Sequence, residues 1–260
     1  METKKAILVV SFGTSHLDTM KKTIEAIESR IQDTFPEYRV YRAFTSQMIL
    51  NKLRKTEHLS YHNVSQAMEQ MSADGMETVT VQPTHIINGM EYDKMMEAVS
   101  AYEDRFAKVK VGKPLLSSAQ DYKMSIHAVM EQVELDEDEA LVLMGHGTEH
   151  HANSAYPTLE YTFHSMGYHQ VLVGTVEGFP DLNHVLAKLD IGGFAKVTLM
   201  PFMVVAGDHA KHDMAGDEDS WKSALEEEGY QVKTIVKGLG EMEGIRHIFM
   251  EHLEEALNGC

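Results

Sequence analysis

Leu141-Val142-Leu143-Met144 runs straight into Gly145-His146-Gly147-Thr148, and no other stretch limits the fold of this chain as strongly. An apolar run without polar alternation suits a strand covered on both faces, as in a parallel sheet. The flanking glycines let the backbone turn sharply, and threonine is a residue type that starts helices. Such a strand delivers one imidazole to the sheet edge where open α/β folds bind ligands. A strand-to-helix turn with an incidental histidine would satisfy the same residues, so the rest of the chain has to decide.

It repeats the same rhythm throughout. Residues 6–10 read as a first buried strand, followed by the loop Ser11-Phe12-Gly13-Thr14-Ser15. Met20, Ile24, Ile27, Ile31 and Phe35 then recur at helical spacing along one face. A weaker strand at 39–43, a helical stretch from 48 to 71 broken near 58–61, and a strand at 78–83 come next. A helix with Met95, Met96, Val99, Tyr102 and Phe106 inward leads to a short strand at 109–111 and 115–116. The second half reads as strand 140–144, helix 157–166, strand 171–173, helix 181–189, strand 197–200, a helix from about 208, and strand 232–236. A last amphipathic helix carries Ile245, Ile248, Phe249, Leu253 and Leu257 on one side.

Strands alternating with helices predict right-handed βαβ crossovers and parallel sheets. The expectation is an α/β protein of two similar Rossmann-like domains, residues 1–125 and 126–260, with the last helix packing back on the first. Internal matches support duplication. Phe12-Gly13-Thr14 aligns with His146-Gly147-Thr148, and Val79-Thr80-Val81-Gln82-Pro83 aligns with Val197-Thr198-Leu199-Met200-Pro201. Continued without a gap, the second match sets Glu91 opposite His209.

Charge narrows the partners. With 40 Asp and Glu against 23 Lys and Arg, the net charge of -17 argues against a nucleic-acid or anionic-membrane binder and favours a cationic guest. The run 6–10 is too short for a signal peptide and no segment has the length of a membrane span, so a cytoplasmic protein is expected. The single cysteine, Cys260, can form no internal disulfide and reads as an inert tail residue. Self-association into a homo-oligomer stays open.

Three ionisable groups follow strands of the second half at their carboxyl ends: His146, Glu177 and His209. A parallel sheet lines those ends along one edge, so the three can converge. Two imidazoles and a carboxylate form a donor set for borderline divalent metals. Taken singly, Glu177 equally suits a turn before a helix, and His209 a helix start. His212, three residues past His209, shares its helical face and is a further candidate. Met90, Met200 and Met203 could present a soft apolar wall to a flat ligand.

Gly145-His146-Gly147-Thr148, Val176-Glu177-Gly178 and Pro201-Phe202-Met203-Val204-Val205-Ala206-Gly207-Asp208-His209, together with Val10-Ser11-Phe12-Gly13-Thr14-Ser15 and Asn88-Gly89-Met90-Glu91, resemble the class II tetrapyrrole chelatases. Within that class the chain is similar to the CbiK-type anaerobic cobaltochelatases over essentially its whole length. The resemblance implies a two-domain α/β fold, with sirohydrochlorin (or precorrin-2) bound in a cleft between the halves and Co²⁺ inserted as the substrate metal, in cobalamin biosynthesis. It implies His146 and His209 as catalytic, metal-binding histidines and Glu177 as third ligand. No organic cofactor is expected. Substrate contacts are expected from Ser11, Phe12, Gly13, Thr14, Met90, Glu91, Gly147, Thr148 and Met203, with backbone N–H groups near helix starts anchoring the substrate carboxylates.

The chemistry suits such a role. Insertion strips water from the ion, removes two pyrrole protons and releases the metal to the macrocycle; an imidazole with an ordinary pKa of about 6.5 can act as ligand or base near neutrality. Affinity order alone would favour Ni²⁺ and Cu²⁺ over Co²⁺. Iron insertion toward sirohaem is the nearest alternative. A non-catalytic metal-binding or delivery protein would keep the histidines but need no tetrapyrrole cleft. A histidine phosphatase also places His-Gly at a strand end, but wants an arginine where this chain has Gly145.

Overall fold

A computed structural model describes residues 4–259. Cys260 therefore lies outside the described residues. The chain divides into two compact units, Met1–Ser117 with Ile245–Cys260, and Ser118–Gly244. Each holds one four-stranded, all-parallel sheet.

In the first unit the strands are β1 (Lys5–Ser11), β2 (Arg39–Phe44), β3 (Thr78–Pro83) and β4 (Lys108–Val111), in the order β2-β1-β3-β4. Helices α1 (Leu17–Lys22), α2 (Ile24–Thr34), α3 (Gln47–Thr56), α4 (Val64–Ala73) and α5 (Met90–Ser100) connect them. Leu8 and Val10 of β1 pack with Val79 and Val81 of β3, Met68 and Met71 of α4, and Met95 and Val99 of α5. Each such side chain, fully buried, contributes about 1.5–3 kcal/mol. The helix expected to run from Met20 to Phe35 breaks at Thr23. The Thr23 hydroxyl donates to the Thr19 carbonyl at 2.7 Å, a side-chain contact that competes with the helix ladder.

The second unit repeats the plan with β5 (Glu139–Gly145), β6 (Val171–Thr175), β7 (Lys196–Pro201) and β8 (Gln231–Thr234), in the order β6-β5-β7-β8. Its helices are α6 (Ala119–Met130), α7 (Ala155–Ser165), α8 (Leu182–Gly192) and α9 (Trp221–Glu227). The C-terminal helix α10 spans Glu243–Asn258.

The duplication is visible bond by bond. Val10 pairs with Pro83 in the first sheet and Met144 with Pro201 in the second. Thr84 N–H donates to Val10 as Phe202 N–H donates to Met144, both at 2.8 Å. Beyond the strands, Leu115 and Leu116 donate to His85 and Ile86 while Leu239 and Gly240 donate to Met203 and Val204. Gly13 and Gly147 both have positive φ, +99° and +82°. This register sets Phe12 opposite His146, His85 opposite Met203, and Glu91 opposite His209.

Three departures from the sequence reading have local causes. Helix α6 was not anticipated; Ser118 caps it, its hydroxyl accepting the Asp121 N–H at 3.2 Å. Leu115-Leu116 extends no strand, because its N–H groups serve the loop after β3. The helix expected from about 208 is instead a six-residue π-helix, His209–Met214, separated from α9. Among the described residues no helix is long and apolar enough to cross a membrane.

Candidate metal centre

The centre lies wholly in the second unit, at the carboxyl ends of three neighbouring strands. Every residue of β5 is buried, so His146 is the first side chain free of the sheet. Tyr156 of α7 fixes the turn that carries it. Its ring fills the space beside Gly145, where an added Cβ would stand 2.3 Å from the ring. The buried Tyr156 hydroxyl, pushed up to about 12 by burial, accepts from the backbone of Gly147 and His146, which pulls the other way.

The loop after β6 is zipped onto this turn. Val176 N–H donates to Gly145 O at 3.1 Å and Glu177 N–H to His146 O at 2.8 Å. Asn153 holds both loops: its Oδ1 accepts from Thr148 N–H at 3.0 Å and its Nδ2 donates to Phe179 O at 2.5 Å. His209 arrives from the third direction, as the first residue of the π-helix that follows β7.

One ligand atom from each of His146, Glu177 and His209 lies within 4.8 Å of the others, the distance scale of a shared ion. The imidazoles meet edge to face, with centroids 4.7 Å apart at 86°. His146 Nδ1 is 3.8 Å from Glu177 Oε2 and 2.9 Å from Gly147 O. His209 Nδ1 lies 2.5 Å from Asp213 Oδ2. The side chains are 36, 58 and 35% exposed, so a ligand can reach all three from solvent. Two imidazoles and one carboxylate suit a borderline divalent ion and leave coordination positions for a second ligand.

Other expected site residues are placed differently. His212 is exposed and outside the three-residue group. The Thr148 amide is occupied by Asn153 and its hydroxyl accepts from His150 N–H at 3.1 Å, so Thr148 shapes the turn. In the first unit Ser11 is buried, its hydroxyl accepting from Thr84 at 2.8 Å, and Thr14 is buried with its hydroxyl accepting from His16 N–H at 3.1 Å. Gly13 is enclosed against Phe44. Phe12 and Met90 are exposed. Met203 packs against the second core.

Glu91 receives Lys94 Nζ at 2.6 Å. Burial would raise its pKa, but the hydrogen bond from Lys94 and the charge behind it leave it lowered. His85 was not singled out from the sequence. Both its ring nitrogens are buried without a hydrogen-bond partner, and burial pushes its pKa down to about 4 against the pull of Glu91.

That burial makes a pH prediction. An unfolded histidine titrates near 6.5, so between pH 6.5 and about 4 the unfolded chain binds the proton and the folded one does not. The His85 contribution is therefore complete above pH 6.5 and lost as pH falls through that window. Urea unfolding at pH 7 and pH 5 should show the wild type losing about 2 kcal/mol more than His85→Leu. Equal losses would contradict a buried, neutral imidazole.

The comparisons with known proteins agree with the fold. The sirohydrochlorin cobaltochelatase of Salmonella typhimurium is 41% identical over 257 residues, covering 98% of this chain and 97% of that protein. The sirohydrochlorin cobaltochelatase CbiKC of Nitratidesulfovibrio vulgaris is 36% identical over 265 residues, covering 98% and 92%. Among solved structures, SirB from Bacillus subtilis with Fe³⁺ matches with a TM-score of 0.68 at 14% identity, covering 98% of this chain and 96% of that one. CbiX, described as the terminal enzyme for biosynthesis of siroheme in denitrifying bacteria, matches with a TM-score of 0.57 at 15% identity, covering 96% and 99%. At such identities these two structures speak for the fold alone. The family model described as cobalt chelatase (CbiK) matches residues 5–258, and the chain belongs to that family.

Proposed function

We propose that the protein is a sirohydrochlorin cobaltochelatase that inserts Co²⁺ into sirohydrochlorin, with the ion passing through His146, Glu177 and His209. The single observation that carries the site is the convergence of those three donors at one sheet edge. Membership of the CbiK family and the two cobaltochelatase relatives support the activity.

Insertion exchanges one Co²⁺ for two pyrrole protons, so the products are the cobalt complex and two protons. The three side chains replace part of the ion's water shell and leave open positions where macrocycle nitrogens can enter. As each pyrrole nitrogen takes the metal, an imidazole or carboxylate is released from it and is then free to accept a pyrrole proton. Open access and only three protein ligands keep the ion transferable rather than caged. Sirohydrochlorin carries many carboxylates while this protein carries a net charge of -17, so binding needs local donors.

Anaerobic incubation with sirohydrochlorin and Co²⁺, followed by visible absorption, tests this. Multiple turnovers above the rate without protein are expected. A folded protein that gives none would overturn the proposal, and faster insertion of Fe²⁺ in a parallel reaction would reassign the metal.

A further inference from the structure

The two imidazoles of the centre differ in what stands behind them. His146 Nδ1 faces the Gly147 carbonyl at 2.9 Å; His209 Nδ1 faces the Asp213 carboxylate at 2.5 Å. A backbone carbonyl and a carboxylate both accept, so each contact favours the proton on Nδ1 and leaves the lone pair on Nε2 able to bind an ion. The acceptors at hydrogen-bond distance differ in charge, the Glu177 carboxylate standing farther from His146 Nδ1 at 3.8 Å. An anion behind an imidazole raises the donor strength of the opposite nitrogen and locks the ring more firmly than a neutral dipole.

The supports differ in the backbone too. His146 sits on a turn between two glycines, whereas His209 and Asp213 occupy one π-helix, where residues four apart stand side by side. Single π-turns of this kind recur at functional sites.

We propose that Asp213 is a positioning residue that makes His209 the anchoring ligand, the one that keeps the cation while Glu177 and His146 give way to the macrocycle. The proposal rests on the chelatase reading and adds an order of ligand release to it. An ordinary exposed pair of this spacing on a helix would stabilise the protein slightly and do nothing to the metal.

The test uses the full chain, wild type beside Asp213→Ala and Asp213→Asn. Co²⁺ affinity is read by anaerobic calorimetry with the metal alone, and the His209 tautomer by ¹⁵N NMR of the metal-free protein. Asp213→Ala should weaken Co²⁺ binding by about 10–100-fold, raise KM for Co²⁺ more than it lowers kcat, and shift His209 away from the Nδ1–H form. Asp213→Asn is isosteric, keeps an oxygen acceptor and removes the charge, so it should restore the tautomer and recover part of the affinity. Co²⁺ affinity and tautomer both unchanged in folded Asp213→Ala would overturn the proposal. So would an Asn variant, folded where the Ala variant is not, that binds Co²⁺ as tightly as wild type. A wild type that binds Co²⁺ but inserts none sinks the chelatase reading instead, and the affinity series still decides whether Asp213 anchors His209.

Discussion

His209→Ala is expected to abolish cobalt insertion in a protein that remains folded, and His146→Ala to do the same. In the proposed mechanism each imidazole serves as a ligand and, once released, as a proton acceptor, so its loss should cost at least about 10²-fold in kcat/KM. Stability should barely change. His209 is about one-third exposed and its Asp213 contact is an i,i+4 pair on the surface, worth a few tenths of a kcal/mol. His146 is similarly exposed, and its turn is held by backbone bonds and Tyr156 rather than by the imidazole. Equilibrium unfolding should therefore place both variants within about 1 kcal/mol of wild type. Wild-type turnover in either folded variant would move the centre elsewhere.

Gly147→Ala should produce a large structural effect from a single methyl group. Gly147 has φ +82°, a region that costs a residue with a Cβ about 1–2 kcal/mol. The new Cβ would also lie 2.6 Å from Gly178 N, 2.7 Å from Thr175 Cβ and 3.0 Å from Glu177 C. Two of those atoms are backbone, so the loop carrying Glu177 must move as a whole, taking with it the Glu177 N–H bond to His146 O. A loss of about 2–4 kcal/mol in urea unfolding is expected, combining the conformational cost with overpacking. Co²⁺ binding should fail beyond what lost stability explains, because His146 and Glu177 separate. A variant with wild-type stability and Co²⁺ affinity would mean that the two loops are not coupled through Gly147.

The strand ends carried most of what could be read from the chain. Unbroken apolar runs at 140–144 and 171–173, and the run 197–200 interrupted only by Thr198, mark buried parallel strands, and the polar residues after them had to fall on one edge; the placement of His146, Glu177 and His209 followed from that geometry. The duplication was legible because Pro83 and Pro201, and Gly13 and Gly147, recur at positions of unusual backbone demand. Helix α6 was missed because its apolar face is weak: Asp121 and Ser125 are buried beside Ile126 and Val129, so periodicity understates its burial. The π-helix was hidden because its pattern differs from an α-helix by a fraction of a residue per turn.

Residues that work through others were the least legible. Asn153 bonds two loops that are neighbours only in the folded unit, and Tyr156 acts on a turn nine and ten residues before it through its hydroxyl. His85 reads as an ordinary loop histidine until its ring nitrogens are found buried. Asp213 alone left a signal, four residues after His209 on what reads as one helix face.

X-ray absorption at the cobalt edge of the anaerobic protein loaded with one equivalent of Co²⁺ tests the central claim most directly. Two imidazole nitrogens and one carboxylate are expected around the cobalt, with one imidazole lost in His146→Ala and one in His209→Ala. A cobalt shell without imidazole, or one that both substitutions leave unchanged, would contradict it.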